Sequence, residues 1–378
     1  RQQHDPQETP CFATSVPHPW RMFSSLALPF LVVIFAAAAA AVWIAGIHLS
    51  NTSDVLSHRL HLGEALGGLL LLAFTTNLPE VAIVVSAAVA KQLGIAIGNI
   101  LGGIAIQTVV LVIIDVFGLK KRASLTYKAA TLSLVLEAAL VVAVLIVAIM
   151  GSQLPASAIF LRFDPGALLI FLLWIGGIYL LAKARSGLPW HESGQAPDHQ
   201  AMPRGIAKKM KSDAEAEKGT TLARTVTVFA VAAVITLIGG VVLEQSGDAI
   251  ATRAGITGVL FGATILAAAT SLPEVSTGLA SVKMEDYQLA MSDIFGGNAF
   301  LPVLFLVASL LSGQAVLPQI NGTDLYLTGL GVLLTTVYIY GLIFRPQRLI
   351  GRMGLDSVAV LVLYVLGLIG LFAVAKGA

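Results

Sequence analysis

Apolar runs of about 20 residues, each long enough to cross a ~30 Å hydrocarbon layer, recur along nearly the whole chain with short polar stretches between them. Ten runs read as membrane-spanning helices: residues 26–46, 63–89, 94–117, 126–149, 164–183, 224–244, 255–281, 288–311, 323–343 and 355–374. Residues 1–25 read as a disordered extracellular segment, and 184–223 as a cytoplasmic linker between two five-helix halves, 26–183 and 224–378. The apolar part of 21–46 is longer than the roughly 7–15 residues of a signal core, so it is read as a retained span.

Two of the runs are interrupted in the same way. TTNLPE, residues 75–80, puts a proline and a glutamate inside one apolar stretch, and ATSLPE, residues 269–274, does so inside another. Residues 75–103 align with 269–297 at a constant offset of 194, and nine of the twenty-nine pairs are identical. The shared residues include Thr76/Thr270, Pro79/Pro273, Glu80/Glu274, Gly102/Gly296 and Gly103/Gly297. Each copy lies in the second and third spans of a five-span half. Five is odd, so the halves enter the membrane from opposite sides. The expectation is an all-α polytopic membrane protein of ten transmembrane helices, built as two inverted five-helix repeats with broken helices meeting at mid-bilayer.

Composition agrees with this reading. The chain of 378 residues is 57% hydrophobic and only 12% charged, about half the charged fraction of a soluble protein. A net charge of +2 gives no reason to expect a nucleic-acid partner. With the linker inside, 17 of the 23 lysines and arginines fall on the cytoplasmic side, which places both termini outside. A multi-pass protein of a prokaryotic plasma (inner) membrane is expected, with the lipid bilayer as its surroundings. The single cysteine, Cys11, excludes an internal disulfide. In the linker, HESGQAPDH (191–199) lacks the H-E-x-x-H spacing of a zinc site. KKMKSDAEAEK (208–218) reads as a surface helix beside anionic headgroups.

The interrupted motif has its own chemistry. Pro79 and Pro273 have no backbone N–H to donate, so the carbonyls of Thr75 and Ala269 are expected to lose their helical partners. Thr76 and Glu80 are four residues apart and share a helix face, as do Thr270 and Glu274. Each half thus offers a carboxylate, a hydroxyl and a carbonyl, with Asn77 and Ser271 as further oxygen donors. Joined about a two-fold axis, they make an all-oxygen cage suited to a hard cation, calcium above all. Downstream, GNILGG (98–103) and SDIFGGN (292–298) carry small residues that allow close helix approach. Asp293, opposite Asn99 in the alignment, adds a third buried acid able to bind a cation or carry a proton. Glu137 stands alone in the fourth span, with Gly331 at its offset. A hydrogen bond to a neighbouring helix is favoured over proton handling there.

These motifs resemble the two alpha-repeats of the cation/calcium exchanger superfamily, especially its sodium/calcium branch, whose repeat reads close to G-T-S-L-P-E followed by G-N-x-x-G-S-N. The resemblance implies that Glu80 and Glu274 bind calcium with Thr76 and Thr270. It places Asn77 and Ser271 where the family has serines that help bind sodium. The departures are Gly103 and Gly297 in place of the serine of G-S-N, and Gln107 and Leu301 where sodium-coupled members carry Asn or Asp. Gln107 is similar to the proton-coupled branch. The expected function is a secondary antiporter, not an enzyme, that exchanges Ca2+ for H+ or Na+ and has no cofactor. Its rivals are an exchanger for Mg2+ or a monovalent ion, an intramembrane hydrolase, and a non-transporting cation sensor. The hydrolase would need a nucleophile–base pair or H-E-x-x-H, neither of which the motifs supply.

Overall fold

In hydrocarbon every backbone N–H and C=O must be satisfied within its own segment, so apolar runs of this length fold as helices. The computed structural model describes residues 23, 25–59, 73–119, 123–185, 222–256 and 258–377. The helices of the first half are α1 (Leu28–Arg59), α2 (Leu78–Val89), α3 (Leu93–Gly118), α4 (Leu125–Ala129), α5 (Leu132–Ser152) and α6 (Pro165–Arg185). The second half contains α7 (Leu222–Ala254), α8 (Gly258–Phe261), α9 (Ala267–Thr270), α10 (Leu272–Lys283), α11 (Tyr287–Phe300), α12 (Leu304–Ser312), α13 (Gly322–Phe344) and α14 (Leu355–Gly377). A hairpin of β1 (Leu349–Ile350) and β2 (Met353–Gly354) links α13 to α14.

Among the described residues eight helices are long and apolar enough to cross a membrane. A further apolar pair, Gly262–Thr270 and Leu272–Lys283, is bent by 45° at its break. The predicted second span is described from residue 73 and breaks at Asn77, which leaves 12 residues in α2. The N-terminal segment to residue 22 and linker residues 186–221, with both their motifs, lie outside the described residues.

Several predicted boundaries move. The first span was expected to end at residue 46 and the sixth at 244, yet α1 runs to Arg59 and α7 to Ala254. No proline interrupts either extension, and 33 residues at 1.5 Å each give α7 a length of about 50 Å. The fourth span, expected as 126–149, breaks at Ala130–Thr131. There the Thr131 hydroxyl caps α5 by accepting from the N–H of Leu134. The eighth tightens into a 3-10 turn at Leu301–Val303, where Pro302 cannot continue the α-helical ladder.

Burial separates an inner set of helices from an outer one. The most apolar windows of Leu93–Gly118 and Tyr287–Ser312 are 72% buried, against 17% for Pro165–Ala184 and Leu355–Lys376. The outer helices expose apolar side chains such as Phe30, Ile44, Tyr179, Ile238 and Ile369, the surface that lipid covers. The inner helices carry the two motifs and pack through small residues. A Cβ on Gly102 of α3 would overlap the backbone of Ala263.

The long helices α1 and α7 each cross the motif of the opposite half. A Cβ at Gly46 would lie 2.7 Å from Cβ of Pro273, and one at Gly240 would lie 2.8 Å from the carbonyl oxygen of Pro79. Gly46 and Gly240 are themselves separated by the repeat offset of 194. So are Lys91 and Glu285, which both turn the chain with positive φ, 58° and 61°. The likeness between the copies therefore extends from sequence to local backbone.

Candidate cation site

Two helix breaks build the site. Asn77 (φ −87°, ψ 10°) and Ser271 (φ −82°, ψ 2°) leave helical geometry in nearly the same way. Each is followed by Leu-Pro-Glu, which opens a new helix with proline in its first turn. Proline is tolerated there because a first-turn N–H has no intrahelical acceptor. Glu80 and Glu274 consequently lie in the first turns of α2 and α10, at the positive ends of the helix dipoles.

Both carboxylates are buried, and none of their four oxygens closes a hydrogen bond of ordinary geometry. Thr270 is the hydroxyl that approaches Glu80, while Glu274 lies within electrostatic reach of both Glu80 and Asp293. The two halves thus meet here. Asp293 on α11 accepts a hydrogen bond from Thr277 Oγ1 at 2.7 Å and a longer one from Thr76 Oγ1 at 3.4 Å. Thr76 comes from one half and Thr277 from the other. Asn99 of α3 is fully buried with both amide atoms unpartnered.

Unpaired buried polar atoms are uncommon because each costs about 1–3 kcal/mol, and more when charged. Here Glu80, Glu274 and Asn99 supply six such atoms in the two motifs. Among the described residues no three His, Cys, Asp or Glu side chains gather as a metal cluster. An ion held here would take two carboxylates and complete its shell with neutral oxygens, which is hard-cation coordination.

Other expected ligands are placed differently. Asn77 and Ser271 were expected to offer oxygens. Instead the Asn77 amide nitrogen donates to the carbonyl of Ala73 at 2.6 Å, and its oxygen accepts from Gln107 Nε2 at 3.4 Å. The Ser271 hydroxyl donates to the carbonyl of Ala267 at 2.8 Å, which leaves its oxygen able to accept or to coordinate as expected. The carbonyls of Ala73 and Ala267 each accept from two side chains, Thr76 and Asn77 on the first and Thr270 and Ser271 on the second. The reason is that the chain turns at Asn77 and Ser271, two residues ahead of the prolines. Thr75 is buried with its hydroxyl 3.1 Å from Ser53 Oγ, and Ala269 is buried in the core. Glu137 accepts a hydrogen bond across helices from Ser292 Oγ at 2.6 Å.

Some participants were not anticipated. Thr277 braces Asp293, yet the alignment pairs it with Ile83, so symmetry gave no hint of it. Its position three residues beyond Glu274 on the same helix was the available signal. Asn298 donates to Thr108 Oγ1 at 3.2 Å and to the Ile104 carbonyl at 3.4 Å, tying α11 to α3. On the far end of α2, Ser86 donates to Glu244 at 2.9 Å and Gln92 to Asp248 at 3.2 Å.

Comparison with known proteins gives a consistent picture. A family model described as sodium/calcium exchanger protein matches residues 30–183 and 224–373. No curated protein matches the chain by sequence. Among solved structures, native YfkE is similar with a TM-score of 0.60 at 16% identity, over 92% of this chain and 97% of that one. The H+/Ca2+ exchanger CAX gives 0.58 at 16% identity, over 92% and 88%. The sodium-calcium exchanger NCX_Mj, soaked with Na+ and Sr2+, gives 0.52 at 16% identity, over 90% and 98%. At such identity these likenesses establish the fold.

Proposed function

From the membership of this chain in the sodium/calcium exchanger protein family, we propose that it is a secondary antiporter moving Ca2+ against protons in preference to sodium. The observation that carries the reading is the pair of buried glutamates, Glu80 and Glu274, whose four oxygens close no hydrogen bond of ordinary geometry. A buried carboxylate with no counter-charge is expensive and marks an ion pathway. A dication satisfies both at once, and so does protonation. The same two groups therefore bind either cargo, and competition between them is the coupling. Thr76 and Thr270 add neutral oxygens, and Asp293 and Asn99 are the further groups able to take the coupling ion or proton.

The chain works as two inverted five-helix repeats, 26–183 and 224–378, joined by the cytoplasmic linker. Both termini lie outside, and the protein resides in the plasma membrane of a prokaryote. Access alternates as α1 and α7, crossing the opposite motifs at Gly46 and Gly240, shift against the inner helices. Protons suit the site because a proton needs a carboxylate and no coordination shell. The matching structures of an H+/Ca2+ exchanger and a sodium-calcium exchanger support exchange of this kind with either ion.

The test is calcium flux in proteoliposomes under imposed gradients, one ion at a time. Acid-inside vesicles should take up Ca2+ without sodium, and Glu80→Gln or Glu274→Gln should abolish uptake. Uptake that persists in both variants would remove the central site. Strong sodium-driven uptake at clamped pH, with no response to a pH jump, would reverse the coupling.

A further inference from the structure

Away from the glutamates, a second pair of buried acids gathers at one end of the bundle, the end that the orientation above makes cytoplasmic. Asp115 lies in the last turn of α3 and Asp356 in the first turn of α14. Between them run the residues just before α4 and the β1–β2 hairpin. Asp115 is sixteen residues along α3 from Asn99, a rise of about 24 Å. We propose that Asp356 and Asp115 form a second cation site, which takes a divalent ion such as calcium and, when filled, fastens these segments together. The site is separate from the glutamate pair and goes beyond the antiport reading.

Both acids touch Gly354. Asp115 accepts from the Gly354 N–H at 2.7 Å through Oδ2 and from the Leu125 N–H at 2.8 Å through Oδ1. A Cβ at Gly354 would overlap Asp356 Oδ1, and one at Gly341 of α13 would overlap Asp356 Oδ2. The Asp356 carboxylate is therefore seated between two glycines and fits because neither has a side chain. Hydroxyls line the same place. Ser124 Oγ and Thr126 Oγ1 are 3.2 Å apart, Thr126 approaches Asp356, and the Ser357 hydroxyl approaches Asp115. Ser124, Thr126 and Ser357 are at most 1% exposed.

Asp356 is 5% exposed, yet neither of its oxygens closes a hydrogen bond of ordinary geometry. Neither aspartate has a basic partner among the described residues. Arg345, at the end of α13, donates instead to the Tyr127 carbonyl at 3.3 Å and lies over the Tyr127 ring. Two buried negative charges without a counter-charge are costly. The first half shows how a purely structural aspartate looks at the start of its last helix. Asp164, just before α6, accepts from the N–H groups of Gly166, Ala167 and Leu317 at 2.9, 3.3 and 3.0 Å. Leu317 lies between α12 and α13, as Ser124 lies between α3 and α4. The leucine side chain also fills the space there, 2.7 Å from where a Cβ of Gly166 would sit. The second half replaces those donors and that leucine with hydroxyls and a second carboxylate.

The available donors are the two Asp356 oxygens, the spare lone pairs of Asp115, and the hydroxyls of Ser124, Thr126 and Ser357. All are oxygens, which selects a hard cation, and calcium accepts six to eight of them in irregular arrangements. Asp115 already serves two amides. The site therefore binds more weakly than the glutamate pair and fills only at calcium concentrations above those that saturate it.

The experiment uses the full chain in detergent with Glu80→Gln and Glu274→Gln together, so that the central carboxylates contribute nothing. Terbium is the probe, excited through Tyr338, whose hydroxyl is 3.4 Å from Ser357 Oγ. Emission should saturate and be displaced by calcium but not by potassium. Asp356→Asn in that background should weaken terbium binding about tenfold or more, and Ser124→Ala should weaken it severalfold. In the chain with its glutamates intact, high calcium should slow tryptic cleavage after the exposed Arg348 and Arg352 of the hairpin, and Asp356→Asn should abolish that protection. Absence of saturable emission overturns the proposal, as does emission unchanged by both substitutions. Displacement by potassium as readily as by calcium overturns the divalent assignment. Should Asp356→Asn not fold, Ser124→Ala decides. Calcium flux that survives loss of the glutamates would count against the central site alone, and the terbium titration would still judge this one.

Discussion

Replacing Glu80 by glutamine should move stability and cation response in opposite directions. Glu80 and Glu274 are at most 1% exposed and their oxygens close no hydrogen bond of ordinary geometry. Once ionised, each carries a desolvation penalty of several kcal/mol, increased by the other. Glutamine removes the charge but leaves a buried amide, which costs about 1–3 kcal/mol if unpaired. The difference favours the variant by roughly 1–3 kcal/mol. The shift per kcal/mol falls with chain length and is about 2–4 °C for 150–250 residues, so a rise of a few degrees at most is expected for this longer chain.

Calcium should reverse the order. At a hundred times its dissociation constant, a ligand stabilises the wild-type fold by ~2.7 kcal/mol. Removing one partner of a buried charge pair costs roughly 2–5 kcal/mol, which weakens binding about thirtyfold or more. At the same calcium concentration the variant would then gain less than about 0.9 kcal/mol. The assay is thermal unfolding of purified protein in detergent at alkaline pH, in chelator and in calcium. Glu80→Gln should unfold above wild type in chelator and respond little to calcium, and Glu274→Gln should behave alike. A variant that unfolds below wild type in chelator, or shows the full calcium shift, would refute the reasoning that these two carboxylates form an uncompensated pair.

The remaining predictions concern packing and topology. Gly46→Val and Gly240→Val push side chains into Pro273 and Pro79; each should destabilise by about 1–3 kcal/mol and suppress calcium flux, and wild-type flux in either would show that these crossings do not constrain access. Ser292→Ala removes the donor 2.6 Å from Glu137 and should lower stability by about 1–3 kcal/mol, read from thermal unfolding; a neutral result would mean that the bond contributes little. With Cys11 replaced by serine, a cysteine placed within 200–215 should be labelled only from the cytoplasm, and one within 314–322 only from outside. Labelling of both from one side would exclude the inverted arrangement.

The membrane crossings were legible in the sequence because length and hydropathy suffice for them: an apolar run in lipid has little choice but to be a helix. The two Leu-Pro-Glu breaks were legible for a similar reason, since proline acts on its own helix without help from the rest of the fold. The carboxylate pair followed from the repeat. What one strand of sequence did not determine was the partner of each polar atom. Asn77 and Ser271 looked like oxygen donors, but which end of an amide faces inward depends on Gln107 and on the space left by Gly297. Thr277 escaped notice because its role is defined by Asp293, which reaches it only after α10 and α11 fold together. The extra length of α1 and α7 and the crossings at Gly46 and Gly240 depend likewise on contacts between halves some 200 residues apart. Hydropathy is a property of a segment, so the sequence displays it. Hydrogen-bond satisfaction in a buried site belongs to the packed neighbours, and only the tertiary structure chooses them.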